Sequence, residues 1–305
     1  MRIVVTGGTG FIGHALVAKV AQQRHDVVVL CRTPRHSSHS SVRYVQWDAR
    51  SMGPWRAEVE AADAVINLAG APIAEGRWTP ARKRLLLESR TCSTRLLVDA
   101  LAERASPLPV FVSASGIGYY GASDDRVLDE RSALGTGFLA DLSAAWEAEA
   151  LRAGQFQTRV VVLRTGMVLE QDGGALPKMV LPFRFFAGGP VLPGTQWVSW
   201  IHRADLIGLI QWAVATPTVS GPINAVAPEA VTMKNLCSAI GRVLHRPSWL
   251  PVPGFALHLA LGELGTLMTT GQRVDPAKVR AGGFVFRYPK LEPALRAIFD
   301  AEGQT

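Results

Sequence analysis

Short hydrophobic runs alternate with longer segments of helical periodicity over about the first 165 residues of the chain. This alternation is typical of βαβ units, which place parallel strands in one sheet between two layers of helices. We therefore predict an α/β fold with a doubly wound, Rossmann-like parallel sheet. The predicted strands lie at residues 2–6, 27–31, 42–47, 63–68, 109–114 and 159–164.

The longest predicted helix spans residues 79–104, between the fourth and fifth strands. Thr79 precedes Pro80, the usual arrangement of an N-cap before a proline at the first helical position. A stripe of leucines along this helix would line a dimer face or cover the sheet, and packing on the sheet is the safer interpretation. A monomer and a homodimer both fit this pattern. The leucines are Leu85, Leu86, Leu96, Leu97 and Leu101.

The sequence changes character after residue 170, where Gly, Pro and Trp become frequent and the alternation fades. We predict a Rossmann-like domain at residues 1–168 and a smaller C-terminal lobe at residues 169–305. Strands from about 198–227 are expected to return to the main sheet, because residues 221–226 are again strand-like.

A cluster of glycines follows the first predicted strand. Gly7, Gly10 and Gly13 form G-x-x-G-x-x-G, and Gly8 with the last two also forms G-x-G-x-x-G. A helical pattern begins at Ile12, next to the last of these glycines. Glycines in this context let a pyrophosphate approach the backbone N–H groups and the positive end of a helix. The turn predicts a dinucleotide site, against the alternative of a structural turn without a ligand.

The end of the second strand bears on the choice of dinucleotide. An NAD-binding protein usually places Asp or Glu there to accept from the ribose 2′-hydroxyl. This chain has Arg32, with Arg35 close behind. Because guanidinium groups pair well with a 2′-phosphate, we predict NADP rather than NAD. The alternative is that both arginines belong to a solvated basic loop.

Composition agrees with a globular enzyme. Hydrophobic residues make up 48% and charged residues 19% of the 305 residues, so disorder is not expected, and the apolar runs are too short to span a membrane. A cleaved leader would remove the nucleotide turn, so we expect no signal peptide and a cytoplasmic location. Three dispersed cysteines, Cys31, Cys92 and Cys237, predict neither a disulfide framework nor a metal site.

The net charge of +7 suits an anionic cofactor. Nucleic-acid binding would require a basic stripe interleaved with aromatic residues. The one dense basic run, Arg82-Lys83-Arg84, is followed by leucines and predicts the polar face of a helix. We therefore expect a small-molecule substrate, with neither nucleic acid nor a membrane as partner.

Several motifs in this order resemble the extended short-chain dehydrogenase/reductase superfamily. More narrowly, the chain is similar to an epimerase-family subgroup that carries an extra C-terminal domain of unknown function. The resemblance covers most of the chain. Its carriers are Thr6 to Gly13, Asn67-Leu68-Ala69-Gly70-Ala71-Pro72-Ile73, Ser113-Ala114-Ser115, Gly118-Tyr119-Tyr120-Gly121, Gly188-Gly189-Pro190, Trp200 to Leu206, and Gly271-Gln272-Arg273 through Gly282 to Phe286.

The resemblance implies a nicotinamide cofactor in the N-terminal domain and a small substrate, such as a sugar nucleotide, between that domain and the C-terminal lobe. It places Asp48 near the adenine and Ala69-Gly70 beside the ribose. Besides Arg32 and Arg35, the cofactor-binding residues expected are Gly7, Thr9, Gly10, Phe11, Ile12, Gly13, Asp48, Leu68, Ala69, Gly70, Ser113 and Arg164.

One expected motif is missing. Catalysis in this superfamily usually needs Y-x-x-x-K, in which the lysine lowers the pKa of the tyrosine so that the phenol exchanges a proton. No tyrosine of this chain has a lysine four residues later. Phe138 and Leu142 stand where the resemblance expects the pair. Another acid/base group, binding without turnover, or a substrate that needs little proton assistance would each account for this.

The remaining catalytic candidates lie after the fifth strand. The family role of Ser115 is to hydrogen-bond a substrate carbonyl, and Tyr119 or Tyr120 could supply a phenol. A local backbone bond for the serine and structural packing for the tyrosines are the competing interpretations. His202 and Asp205 suggest a hydrolase pair, but no G-x-S-x-G turn accompanies them.

Two functions follow from these observations. The first is an NADP-dependent oxidoreductase or epimerase-like enzyme with an atypical active site. The alternative is a non-catalytic NADPH-binding sensor or interaction protein that keeps the nucleotide site and lacks the chemistry.

Overall fold

The computed structural model describes residues 1–33, 35–37 and 39–300. This part of the chain contains thirteen β-strands. They are β1 (Arg2–Thr6), β2 (Asp26–Cys31), β3 (Val42–Gln46), β4 (Ala64–Asn67), β5 (Val110–Gly116), β6 (Val127–Leu128), β7 (Arg159–Thr165), β8 (Met167–Leu169), β9 (Trp197–Val198), β10 (Trp200–His202), β11 (Gly221–Ala225), β12 (Val231–Thr232) and β13 (Arg273–Val274).

Eleven α-helices occur in the same described residues, with short 3₁₀ turns at Ile117–Tyr120, Arg152–Phe156 and Gly262–Gly265. The helices are α1 (Phe11–Gln22), α2 (Arg56–Glu60), α3 (Pro80–Ala102), α4 (Phe138–Leu151), α5 (Leu176–Arg184), α6 (Arg203–Ala215), α7 (Met233–Leu244), α8 (Gly254–Leu261), α9 (Thr266–Thr269), α10 (Ala277–Ala281) and α11 (Leu291–Asp300).

Seven strands form the central sheet in the order β11-β7-β5-β4-β1-β2-β3, and every neighbouring pair is parallel. The strand order reverses between β1 and β4, which is where ligands bind in open α/β sheets. The predicted doubly wound fold is therefore confirmed, and the six predicted strands agree with the observed bounds to within two residues.

Both faces of the sheet are buried. Ile3 and Val5 of β1 face a core formed with α1 and α6, whereas Val4 faces a second core formed with α3. Parallel strands covered on both faces need apolar residues at consecutive positions. This explains why these strands read as continuous hydrophobic runs.

The long helix α3 begins as its sequence predicts. The Thr79 hydroxyl accepts a hydrogen bond from the backbone N–H of Arg82 at 3.2 Å, and Pro80 occupies the first helical position. Leu86 and Leu97 are fully buried. Leu101 is also buried and Leu96 is half-buried, so these four leucines pack inside the domain, whereas Leu85 is 44% exposed.

The C-terminal part of the chain forms its own hydrophobic core from α5, α7 and α11 with the short strands β8, β9, β10 and β12. Of the strands expected to return to the main sheet, β11 does so by pairing with β7, whereas β9 and β10 pair with β12 and β8 in separate two-stranded sheets. The boundary at residue 168 stays a prediction. None of the helices in the described ranges is both long and apolar enough to cross a membrane.

His202 and Asp205 fasten the C-terminal segment to the start of α6. The Asp205 carboxylate accepts the backbone N–H groups of Arg287 and Tyr288, each at 2.8 Å. His202 accepts the N–H of Ala204 through Nδ1, and its ring stacks on Tyr288 at 4.0 Å. Burial, together with the positive charges of Arg287 and Arg203, lowers the pKa of His202 to about 4.

This lowered pKa predicts a pH dependence of stability. The unfolded chain takes up a proton on His202 below pH about 6.5, whereas the folded chain resists protonation until about pH 4. The unfolding free energy should therefore fall as the pH is lowered from about 6.5 to about 4. His202 contributes at most about 3 kcal/mol to this loss. Urea unfolding at a series of pH values measures the loss. It should shrink in His202→Gln and persist in His14→Gln, a control at an exposed position of α1. An unchanged profile in His202→Gln would contradict the assignment.

Candidate functional site

The glycine turn joins β1 to α1 by a close backbone approach. Gly7 has a positive φ of 67°, and a Cβ there would lie 2.5 Å from the carbonyl oxygen of Leu68. A Cβ on Gly13 would lie 2.2 Å from the carbonyl oxygen of Gly7. These two positions require glycine, because any side chain would separate the turn from α1 or from the end of β4.

The start of α1 is suited to an anion. Gly10 is the N-cap and offers no side chain to the free N–H groups, and the first turn contains no acidic residue. Thr9 and Gly10 are exposed, while Phe11 and Ile12 are half-buried. Exposed N–H groups at the positive end of a helix form a binding site for a pyrophosphate. The residues present therefore fit a dinucleotide.

The C-terminal lobe touches this turn through Phe11. A Cβ on Gly173 would lie 2.4 Å from the Phe11 ring, and one on Gly174 would lie 3.1 Å from it. The guanidinium of Arg203 lies 5.2 Å from the ring centroid and pairs with Glu170 at 3.2 Å. The segment after β8 thus packs directly on the first residue of α1.

The residues predicted to recognise the adenosine half lie at the ends of β2 and β3. Arg32 and Arg35 are exposed, and neither guanidinium makes a hydrogen bond or ion pair with another of the described residues. Asp48 accepts from the hydroxyl of Ser51 at 2.7 Å and from the N–H groups of Arg50 and Ser51 at 2.8 and 3.0 Å. These bonds lower its pKa to about 2, so Asp48 is a carboxylate held in a fixed turn.

The end of β4 is anchored by a buried asparagine. Asn67 accepts from the Thr6 hydroxyl at 2.7 Å and donates to Thr94 at 2.8 Å. Its amide also reaches the hydroxyl of the buried Ser113 at 3.3 Å. Ser113 therefore lies beneath the strand ends. Leu68, Ala69 and Gly70 continue from Asn67, with the first two half-buried and Gly70 exposed.

A buried arginine that the sequence analysis did not single out supports this loop. Arg90 donates to the carbonyl oxygens of Ala71 and Leu86, each at 2.9 Å. Its guanidinium would lie 3.0 Å from a Cβ on Gly70. Burial, with a contribution from Arg82, lowers the pKa of Arg90 to about 10. The sequence contains one sign that Arg90 is buried: it lies four residues after Leu86, on the buried face of α3.

Ser115 belongs to a buried ionic network. Its hydroxyl donates to Glu147 at 2.7 Å. Arg164 holds the same carboxylate through two hydrogen bonds of 2.9 and 2.8 Å. Burial by itself lowers the pKa of Arg164. The hydrogen bonds to Glu147 and Tyr120 outweigh this effect, so the pKa lies above its usual value. The hydroxyl proton of Ser115 is therefore directed to Glu147 in this arrangement.

The two tyrosines of this edge differ in their surroundings. The Tyr120 hydroxyl is buried, donates to Asn224 at 2.7 Å and accepts from Arg164 at 3.0 Å. Burial raises the pKa of Tyr120. Tyr119 is half-buried, and the Arg164 guanidinium carbon lies 3.4 Å from its ring centroid. The Tyr119 hydroxyl has no hydrogen-bond partner among the described residues.

The position of the expected dyad is apolar. Phe138 begins α4, and its ring lies edge-on to Trp78 at 5.1 Å. Leu142 is buried in the same hydrophobic cluster. A cation from another helix lies beside it: the ammonium of Lys83 is 5.1 Å from the Phe138 centroid and pairs with Glu263 of the C-terminal lobe at 2.5 Å.

The carboxyl edge of the sheet therefore carries almost every predicted site residue. The glycine turn, Arg32, Asp48 and residues 68–70 follow β1, β2, β3 and β4, and Ser115 and Arg164 are the second-last residues of β5 and β7. Within the described ranges, no three His, Cys, Asp or Glu side chains are grouped to hold a metal ion.

Comparison with known proteins yields two sequence matches to families. The profile described as the NAD dependent epimerase/dehydratase family matches residues 3–225. A domain of unknown function, DUF1731, matches residues 252–298.

Individual proteins extend these matches over nearly the whole chain. The epimerase family protein SDR39U1 homolog, chloroplastic, of Arabidopsis thaliana is 42% identical over 303 residues, covering 98% of this chain and 86% of that protein. Human epimerase family protein SDR39U1 (isoform 2), in a crystal structure with NADPH, superposes with a TM-score of 0.88 at 34% identity, covering 98% of this chain and 99% of that one.

A more distant likeness concerns the fold alone. UDP-glucuronic acid 4-epimerase from Bacillus cereus, in complex with UDP-glucuronic acid and NAD, superposes with a TM-score of 0.78 at 18% identity, covering 100% of this chain and 99% of that one.

The crowding at Gly13 predicts that a single methyl group disrupts the nucleotide turn. In Gly13→Ala the Cβ would displace the Gly7 carbonyl, so we expect NADPH affinity to fall at least about tenfold. Calorimetric titration measures the affinity. Gly154→Ala is the matched control, because no atom lies within 4 Å of a Cβ there. Undiminished binding in Gly13→Ala would show that the turn does not contact the nucleotide.

Proposed function

This chain belongs to the NAD-dependent epimerase/dehydratase family, as its motifs predicted, and we propose that it is an NADPH-dependent enzyme that reduces a carbonyl group of a small substrate or oxidises the corresponding alcohol. The observation that carries the proposal is the glycine turn, whose helix start without a side-chain cap, positive helix end and freedom from acidic residues suit a pyrophosphate.

The choice of NADPH is supported by the two arginines after β2. Arg32 and Arg35 are exposed at the carboxyl end of that strand, where a 2′-phosphate would lie. A guanidinium gains charge-assisted hydrogen bonds from a phosphate that a hydroxyl cannot give. A human relative at 34% identity has been crystallised with NADPH, whereas the more distant Bacillus cereus enzyme carries NAD.

Ser115 is the proposed contact for the substrate carbonyl. The bound nicotinamide would supply or accept the hydride. Glu147 is held by two hydrogen bonds from Arg164, so it remains paired when the serine hydroxyl turns toward a substrate. Rotation of that hydroxyl exchanges one hydrogen bond for another, which costs little.

Tyr119 is the proposed proton donor at this edge. The Tyr120 phenol is engaged by Asn224 and Arg164 in the interior, whereas Tyr119 is half-buried and has no described hydroxyl partner. Both tyrosines precede the Gly121 turn beside Ser115. A phenol proton transferred to the carbonyl oxygen would complete the reduction.

A second candidate function is a non-catalytic NADPH-binding protein. It is favoured by the apolar residues at both positions where the dyad is expected, the half-buried Phe138 and the buried Leu142, and by the engagement of the Ser115 hydroxyl with Glu147. Such a protein would bind nucleotide with the same selectivity and show no turnover.

The nucleotide assignment predicts a selective effect of Arg32. We expect NADPH to bind at least about tenfold more tightly than NADH, and Arg32→Ala to remove that preference by weakening NADPH alone. Calorimetric titration with both nucleotides measures this. Arg84→Ala, which removes an exposed arginine from α3, should leave both affinities unchanged. If neither nucleotide binds the unaltered protein, the proposal falls.

The catalytic assignment predicts a graded response in NADPH oxidation with a panel of aldehydes and ketones. Ser115→Ala and Tyr119→Phe should each lower kcat by about 100-fold, the typical effect of removing a carbonyl hydrogen bond or a general acid. Tyr120→Phe should retain most activity, because its phenol serves Asn224.

Two other outcomes separate the alternatives. Full activity in both Ser115→Ala and Tyr119→Phe would remove these residues from the mechanism. Tight NADPH binding without turnover of any carbonyl in the panel would favour the non-catalytic protein.

A further inference from the structure

Several large apolar side chains of the C-terminal lobe are strongly exposed, and four of them form two pairs associated with helices. Leu181 and Phe185, on and just after α5, are 54% and 74% exposed, and Phe255 and Leu259 on α8 are 76% and 78% exposed. Isolated exposed hydrophobic residues are common, but two helices that each present a pair are not explained by chance placement. We call these four residues the apolar rim.

The apolar rim lies on helix faces turned away from the lobe's own core. In α5, Leu176, Val180 and Phe183 are buried in that core. Leu181 and Phe185 fall on the opposite side of a 3.6-residue helix, together with Lys178 three residues before Leu181.

Helix α8 has the same organisation. Phe255 and Leu259 are four residues apart and share one face, while Leu257 packs on the core from the other. The chain before α8 pairs with the chain that follows α5, since the N–H of Leu192 donates to Val252 at 3.0 Å. The two faces therefore belong to adjoining parts of one lobe.

Both helices contact the same loop of the nucleotide-binding domain. The ammonium of Lys178 lies 3.4 Å from the carbonyl oxygen of Ala74, and Arg77 donates to the carbonyl oxygen of Leu259 at 2.7 Å. This loop, residues 71–78, continues directly from Gly70 and ends at Trp78, which contacts Phe138. The apolar rim therefore borders the edge of the proposed active site.

Cationic groups surround the loop. Lys178 approaches the loop from α5, Arg77 belongs to the loop itself, and Arg82 and Lys83 follow it in the first turn of α3. The carboxylates facing them are Glu75, 3.8 Å from Arg82, and Glu263, paired with Lys83. The charge next to the apolar rim is thus predominantly positive.

We propose that the apolar rim and Lys178 bind an amphipathic anion, with a hydrocarbon chain on the rim and an anionic group at the lysine. The inference rests on the proposed function for the reacting end, since the carbonyl of such a molecule would be presented to Ser115. A carbonyl compound carrying a hydrocarbon chain and a carboxylate is the substrate class that fits.

Charge complementarity favours this occupant over a second copy of the chain. A two-fold interface through the apolar rim would bring Lys178 and Arg77 toward their own counterparts, which is unfavourable between like charges. A small anion would pair with the exposed ammonium of Lys178. The tethers to loop 71–78 also place the rim beside the site.

Displacement of a fluorescent apolar anion, anilinonaphthalenesulfonate, tests the proposal on protein saturated with NADP⁺. Decanoate should displace the dye at about tenfold lower concentration than decanol, which has the same chain without the charge. UDP-glucose, a polar anion, should not displace it. Equal displacement by decanoate and UDP-glucose would overturn the apolar part of the proposal.

Substitutions on the two helices give independent readings. The double variant Phe255→Ser/Leu259→Ser and the single variant Leu181→Ser should each weaken decanoate binding at least about tenfold, because each removes large apolar contacts. Val285→Ser, at a site that is 85% exposed, should change nothing. If the double variant fails to fold, Leu181→Ser still decides the result, and unchanged decanoate affinity overturns the proposal.

The charge is tested with Lys178→Gln, which should weaken decanoate and leave decanol unaffected. Lys19→Gln on α1, also exposed, should alter neither. Dye binding that scales with protein dimerisation, or that appears only with phosphatidylglycerol vesicles, would assign the rim to another occupant and contradict the proposal. If the protein does not bind NADPH but still binds decanoate, the proposed function is wrong and the proposed site for an amphipathic anion remains.

Discussion

The buried pairing of Glu147 with Arg164 is the interaction on which the candidate site depends. It joins α4 to β7, and through Ser115 and Tyr120 it also fixes the end of β5 and the turn that follows. Removing either partner would leave an uncompensated charge in the interior, which is far more costly than the net gain of the pair itself. Its contribution is therefore geometric. It determines where the groups at the carboxyl edge of the sheet point.

The positions where the resemblance expects the catalytic dyad lie in a packed apolar cluster. Leu142 is buried with Leu86 and Trp146, and the guanidinium of Arg90 lies 5.1 Å from the Trp146 ring. A lysine at position 142 would place a second cation in this buried region. The apolar residue at position 142 and the buried Arg90 are thus physically compatible, and a lysine introduced there would lie in a region that already contains a cation.

The main sheet could be predicted because its signal is local. Most of its strands are buried on both faces and read as hydrophobic runs, the edge strand β3 being an exception, and Thr79-Pro80 marks the start of α3. Strands of two or three residues, such as β6 and β13, are too short to show any periodicity. Their pairing depends on contacts between distant segments.

The polar part of the site was less predictable for the same reason. The motifs placed Ser115 at the correct strand end, but its partner Glu147 belongs to a helix pattern in which a glutamate normally indicates a solvent-exposed position. Arg90 likewise interrupts an apolar face of α3. Glu147 is paired with Arg164 and Arg90 donates to the carbonyl oxygen of Ala71. Neither partner belongs to the same helix, so no local sequence pattern predicts it.

The contact between Phe11 and Gly173 has a consequence for how the sequence can vary. The ring at position 11 fills the space that a side chain at position 173 would need, since even a Cβ there would lie 2.4 Å from it. The two positions therefore share one volume, although they belong to different parts of the chain. A larger residue at 173 is tolerable only with a smaller one at 11, so the nucleotide turn and the C-terminal lobe are constrained to evolve together at this point.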